Sequence, residues 1–344
     1  MTDLADPPPA TLNRPAPAAA TARPAPPAPA AAAGEAPPAS GDKRSAIGQR
    51  AIAALMHFQF ELARLLGRRF ASAFASVVTR EIGPFVGEHK IGLDNLAAAF
   101  PEKAPEERAR ILAGVWDNLA RTTMDYAFLQ ELVAEFDPDR PKGTRLEHHG
   151  MEHVIALRDS GKPGIVFGAH LGNWELAAAV GRKLGVPITA LYRPPTNPYV
   201  AREIERRRAF VDQLVVSGRG AAFQVAAALQ GGRHIGVIID QRLAGGVELP
   251  FFGRPAMSNP IIGILARHFE CPVHGARAVR LPGGRFHLEF TPAIDLPRDR
   301  KGRVDSDATN RIVHGMVEDW VRQNPEQWLW VHDRWKKPDG PPEA

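Results

Sequence analysis

From about residue 145 onward, short apolar runs alternate with segments whose apolar positions recur every three or four residues. Short runs bounded by turn residues suit buried strands, and the 3.6-residue period suits helices packed on them. Strands are expected over 165–169, 187–192, 213–216, 234–239, 273–279 and 286–290. Helices fall near 174–184, 198–210, 220–230 and 259–270, with a last long one over about 305–322. This alternation predicts an α/β fold, a mixed sheet covered by helices. Upstream, 91–136 reads as helical: Asn95-Leu-Ala-Ala-Ala-Phe100, then Pro105 opening a charged amphipathic stretch through Phe136.

Residues 50–80 form the N-terminal amphipathic helical region. His57, Glu61, Arg64, Arg68, Ser72, Ser76 and Thr79 fall in steps of three or four, one helical stripe. The broad remaining face carries Ile52, Leu55, Phe58, Leu62, Leu65, Phe70, Phe74 and Val77. With Arg50, Arg64, Arg68 and Arg69 on its polar side, such a helix suits an anionic bilayer surface or the flank of its own domain. No uncharged apolar run of 18 residues occurs, which argues against an ordinary membrane span. Residues 1–40 hold 15 alanines and 11 prolines, too little large apolar surface to offset chain entropy. The expected organisation is a disordered tail over 1–45, without the pattern of a secretory signal, a membrane-associating helical region over 46–90, and the main domain over 91–338.

A formal charge of +5 over 344 residues fits an acidic partner: nucleic acid, an anionic membrane or an acidic carrier protein. No recognition module or aromatic-interleaved basic stripe supports nucleic acid, so none is expected. Cys271 is the single cysteine, which excludes an internal disulfide and a Cys-based zinc site and suits a reducing compartment. His148, His149 and His153 lie near Glu147 and Glu152, with His149 and His153 at i,i+4 on a possible helix. A third ligand is not placed, so no metal is expected. Gly218-Arg219-Gly220 is too short for a dinucleotide fingerprint, and phosphate-loop and serine-elbow motifs are absent.

The chemistry concentrates in Gly164-Ile-Val-Phe-Gly-Ala-His170-Leu-Gly-Asn173-Trp-Glu175. A strand that ends on a histidine delivers it where open α/β sheets bind ligands. Asn173 suits a helix N-cap, and the glycines permit a tight turn that folds His170 back toward Glu175. His170 is then a candidate general base with Glu175 as its partner. Arg193, before two prolines, is held extended, to present its guanidinium to a phosphate or simply to water. Asp240-Gln241 follows a strand and faces the same side of the sheet as His170, as site residues or as a turn cap. The 249–253 loop reads as the border of an apolar groove, with a core plug as the alternative. The charged helix with Arg202, Glu203, Glu205, Arg206, Arg207 and Arg208 is a solvated face or a dock for an acidic carrier protein.

His170-Leu-Gly-Asn-Trp-Glu175 resembles the His-x4-Asp/Glu motif of the glycerolipid acyltransferase superfamily, in the form carried by the late lipid A acyltransferases. Tyr192-Arg-Pro-Pro-Thr-Asn-Pro198, then Asp240-Gln241 with Val247-Glu-Leu-Pro-Phe-Phe-Gly253, resemble the family's second and third blocks. Asn324-Pro-Glu-Gln-Trp-Leu-Trp-Val-His-Asp-Arg-Trp335-Lys resembles its closing signature, and Asn95-Leu-x3-Phe-Pro101 fits the region upstream. The resemblance implies a glycerolipid-acyltransferase-like fold and transfer of an acyl chain from a thioester, usually on acyl carrier protein, with coenzyme A possible. The implied acceptor is a hydroxyl of a lipid A precursor at the cytoplasmic face of the bacterial inner membrane, with no cofactor. His170 and Glu175 would be catalytic, and Gly172, Asn173, Arg193, Asn197, Arg219, Asp240 and Gln241 would bind substrate. A glycerophospholipid, aminolipid or other glycolipid acceptor, or a non-catalytic lipid-binding protein, stays open at this stage.

Overall fold

The computed structural model describes residues 43–336 apart from Arg219, so the expected tail lies outside the described residues except for 43–45, which begin the first helix. Helices α1 (Lys43–Leu66) and α2 (Arg68–Ile82) replace the single helix expected over 50–80. They part at Gly67, whose φ of 81° suits glycine and interrupts the helix. A short 3₁₀ turn leads into α3 (Gly87–Ala99), and Pro105 starts α4 (Pro105–Asp125) at a first-turn position where its missing N–H costs nothing. After α5 (Leu129–Ala134) the α/β alternation begins.

Its elements are β1 (Leu146–His149), α6 (Met151–Asp159), β2 (Ile165–Gly168), α7 (Glu175–Lys183), β3 (Ile188–Tyr192), α8 (Pro198–Arg207), β4 (Gln213–Val216), α9 (Ala221–Gln230) and β5 (His234–Ile238). They continue with β6 (Val247–Phe251), β7 (Arg254–Ser258), α10 (Ile261–Phe269), β8 (Val273–Leu281), β9 (Arg285–Phe290) and α11 (Ser306–Gln323). Seven strands form one sheet in the order β1-β9-β8-β2-β5-β3-β4. It is mixed, because β8 and β9 pair antiparallel while the other neighbours run parallel. The mixed α/β sheet covered by helices is therefore the architecture found.

Both faces of the sheet are covered, as parallel strands require. Ile165, Phe167, Ile235 and Val237 point into a core shared with α9, α10 and α11, which includes Val225, Leu265, Val317 and Trp320. On the opposite face Ile188, Ala276 and Ala278 join a second core with Leu132 of α5, Leu157 of α6 and Val180 of α7.

Three strands escape the periodicity. β1 has only four residues, and it places His149 on a strand and His153 on α6, so the two do not share a helical face as expected. β6 and β7 form a hairpin in which Pro250 opposes Pro255, a composition that reads as loop but that a two-stranded ribbon tolerates. Its turn, Phe252-Gly253, has both φ values positive, at 53° and 69°, as in the primed turns of tight hairpins.

Candidate active site

β2 and β5 run side by side in the same direction, with Gly168 opposite Ile238. The residues two positions beyond each, His170 and Asp240, therefore leave the sheet together at its C-terminal edge. Asp240 is 1% exposed. Its Oδ2 accepts the His170 backbone N–H at 2.8 Å and the Trp328 indole N–H at 2.6 Å, and its Oδ1 lies 2.9 Å from His170 Nδ1. Burial alone would raise this carboxyl, but the His170 charge and these hydrogen bonds outweigh it and hold the group at about 2. An ionised carboxylate only accepts, so Nδ1 carries a proton and Nε2 is the nitrogen left for proton exchange.

This corrects the expected pairing. Glu175 does not meet the imidazole; it is bound by Tyr126 Oη–H at 2.5 Å and by the Arg208 guanidinium, with Arg208 Nε at 3.0 Å. Arg208 is itself half-buried, against the Tyr126 and Tyr192 rings. The reason is positional. Glu175 opens α7 on the side facing α4 and α8, whereas the β2–β5 register brings Asp240 against His170.

The loop after β2 is held from behind. Gly172, at φ 59°, sits so close to β8 that a Cβ would lie 2.0 Å from the Ala278 carbonyl oxygen. Its own carbonyl accepts from Asn118 Nδ2 and Thr122 Oγ1, at 3.0 and 2.9 Å. The N–H groups of Leu171, Gly172 and Asn173 donate to Ala169, Gln327 and Ala278 carbonyls, so none of the three is free to meet an oxyanion. Asn173 is buried; its side chain accepts from Glu175 N–H and donates to Asp125.

A cavity of about 550 Å³ opens at His170 and runs between the sheet and helices α6 and α7. Its walls are small or apolar, including Gly168, Ala190, Gly236 and Ala276 from the strands and Ala178 and Gly181 from α7. Of the expected site residues, His170, Glu175, Arg193 and Gln241 line it. Gly172, Asn173 and Asp240 support it from behind, and Asn197 lies elsewhere. Asn197 caps α8, accepting from Tyr199 and Val200 N–H and donating to the Gln49 carbonyl. Arg219 lies outside the described residues.

Two further expectations change. Phe251 and Phe252 pack with Phe100, Trp328 and Trp330 in the main core, so the 249–253 segment is a plug rather than a groove border. The charged helix is a solvated face only in part: Arg202, Glu205 and Arg206 are exposed, while Glu203 is buried and binds Arg206 and Arg207, which also reach His57 and Glu61 of α1.

Arg242, Tyr126, Arg208 and His332 were not singled out as site residues by the sequence. Arg242 lines the cavity mouth, and its backbone N–H donates to His332 Nε2 at 3.1 Å. Its place directly after Asp240-Gln241 was an available signal. Tyr126 and Arg208, 82 positions apart, offered none.

A histidine paired with an ionised aspartate beside an apolar cavity, at the end of an α/β sheet, is an arrangement suited to take a proton from a hydroxyl next to an apolar group. The sequence profile of the bacterial lipid A biosynthesis acyltransferases matches residues 39–337, and the chain belongs to that family. It is similar to the lipid A biosynthesis lauroyltransferase of Escherichia coli K12, 26% identical over 74% of this chain and 81% of that one. It is similar also to the palmitoleoyltransferase of the same organism, 25% identical over 74% and 80% of the two chains. A lipid A biosynthesis acyltransferase of Haemophilus influenzae is 22% identical over 69% and 72%. The protein is an acyltransferase of lipid A biosynthesis.

Proposed function

We propose that the protein moves a fatty acyl chain from an acyl thioester to a hydroxyl of a lipid A precursor, with His170 as general base. The observation that carries this is the His170–Asp240 pair at the open end of the apolar cavity. The acyl chain lies in the cavity with its thioester carbonyl beside His170. The acceptor hydroxyl, a weak nucleophile at neutral pH, gives its proton to Nε2 as its oxygen attacks. Asp240 favours the imidazolium that forms and keeps the ring in one tautomer. The new C–O ester bond forms, the C–S bond breaks, and the imidazolium returns the proton to the departing thiolate.

Gln241 stands at the cavity to meet charge on the thioester oxygen. Arg242 Nε is buried without a partner, and Arg193 is exposed without one among the described residues, which suits both to a phosphate of the acceptor. The Glu175–Arg208–Tyr126 cluster is a positioning group that anchors the start of α7 beside the cavity. The donor in this reading is acyl carrier protein, or else coenzyme A, and no cofactor takes part.

The reaction belongs at the cytoplasmic face of the inner membrane. Among the described residues no helix is long and apolar enough to cross a membrane. α1, α2 and the turn after them expose Leu65, Phe70, Phe74 and Phe85 along one surface, suited to lie in the bilayer interface. Mass spectrometry of lipid A from cells with and without the gene tests the reading. One secondary acyl chain should disappear and return with the wild type but not with His170→Ala. Unchanged lipid A alongside altered phospholipids would reassign the acceptor.

A further inference from the structure

A second concavity, of about 1040 Å³, lies between α2 and α4 and is closed at one end by the turn between β8 and β9. Six arginines line it against two carboxylates, Asp117 and Glu326. Three of the six are committed elsewhere. Arg121 pairs with Asp117, Arg280 with Asp125 at 2.8 Å, and Arg68 donates to the Gly284 carbonyl at 3.1 Å. Arg69, Arg80 and Arg110 are exposed and make no ion pair or hydrogen bond among the described residues. Three guanidinium groups facing one cleft repel each other and gain nothing from staying together unless an anion joins them.

The surroundings say what kind of anion. At about 100° per residue, Arg69 and Arg80 share one face of α2, and Phe70, Phe74 and Val77 occupy the face beside it. Those three side chains are 57%, 62% and 60% exposed. A ligand that meets both faces carries a negative charge next to apolar chains. Arginine's planar fork matches phosphate oxygens better than it matches a diffuse charge. We propose that the α2–α4 cleft binds the phosphate of an anionic lipid headgroup, with the lipid chains against the apolar face of α2. The site is separate from the cavity at His170 and stands whether or not the proposed reaction does.

Co-sedimentation of the full chain with vesicles tests it, with no acyl donor present. The vesicles are phosphatidylcholine alone, or phosphatidylcholine with phosphatidic acid at four to one. Replacing Arg69, Arg80 and Arg110 by alanine should weaken binding to the acidic vesicles by roughly fivefold per arginine, on the order of a hundredfold together. Binding to phosphatidylcholine alone and the melting temperature should stay as in the wild type. A control replaces Lys162, Arg300 and Arg311, three cations outside the cleft. An equal loss there would reduce the effect to general charge and overturn the site. Titration with inorganic phosphate against chloride at equal ionic strength separates a phosphate site from general charge: selective displacement by phosphate supports the site, and equal displacement would overturn it. Acidic-vesicle binding that survives the triple replacement while inorganic phosphate binding is lost would assign the cleft to a free anion and sink the proposal.

Discussion

At the scale of single residues, the molecule turns on an aspartate whose charge survives complete burial. Asp240→Asn keeps the shape but can donate to His170 Nδ1, which would leave Nε2 protonated and unable to accept. Turnover should fall on the order of a thousandfold with little change in KM, measured with a fixed acyl donor. The same substitution has a signature in stability. The folded-state carboxyl of Asp240 is depressed from 3.8 to about 2. Its contribution is therefore fully present above the unfolded value and lost as the pH falls through the folded one. The melting-temperature gap between wild type and Asp240→Asn should hold steady above pH 3.8 and close toward about 2. A gap that widened on acidification would contradict the ionised state. Gly172 is a second sensitive point. An alanine there needs φ 59° and meets the Ala278 oxygen, so chemical denaturation should register a loss of at least about 2 kcal/mol.

At the scale of elements, α7 and the strand ends do different work. Ala178, on the cavity side of α7, stands where a larger side chain would occupy the cavity without touching His170. Ala178→Leu should shift the donor preference toward shorter acyl chains. Each methylene refused should cost roughly tenfold in kcat/KM, read from a series of acyl donors. An unaltered chain profile would remove the cavity from donor selection. The closing segment after α11 acts as a clamp. Trp328 holds Asp240, Leu329 N–H donates to the His170 carbonyl, and Asn95 on α3 binds the Trp330 and His332 carbonyls. Trp328→Phe deletes one hydrogen bond to a buried charge. It should cost about 1.5–3 kcal/mol in a denaturant melt, with a fall in turnover smaller than that of Asp240→Asn.

At the scale of the whole molecule, the N-terminal helices join the rest through polar contacts and a small buried cluster of Phe60, Ala63 and Ala71 with Ala127 and Phe128, and leave other apolar side chains uncovered. Arg50 donates to the Tyr199 hydroxyl at 2.8 Å, and Asn197 to the Gln49 carbonyl at 2.9 Å, so α1 is fastened to α8 while Ile52, Leu55, Phe58 and Leu65 stay exposed. A membrane role for that surface predicts that Phe74→Asp and Phe85→Asp each weaken vesicle binding by roughly tenfold or more. Both side chains are exposed, at 62% and 88%, so the melting temperature should not fall. A drop in stability instead would mean that the surface packs on protein.

Much of this was legible in the chain. Six of the seven strands of the sheet and the helices between them follow from periodicity, which needs only local information. The ordered motifs around His170, Arg193, Asp240 and Trp328 identify the family in the same way. Element boundaries moved only where a local rule competed, as at Gly67, or where a segment was too short or too rich in proline, as in β1 and the β6–β7 hairpin. What the chain could not state was which carboxylate meets His170. Glu175 is five positions away and Asp240 seventy, and proximity along the sequence favours the wrong one. The pairing is decided by the register of β2 on β5 and by Tyr126 and Arg208 claiming Glu175. Sheet register and the competition of buried charges for partners are long-range properties. They come into existence only when the chain is folded.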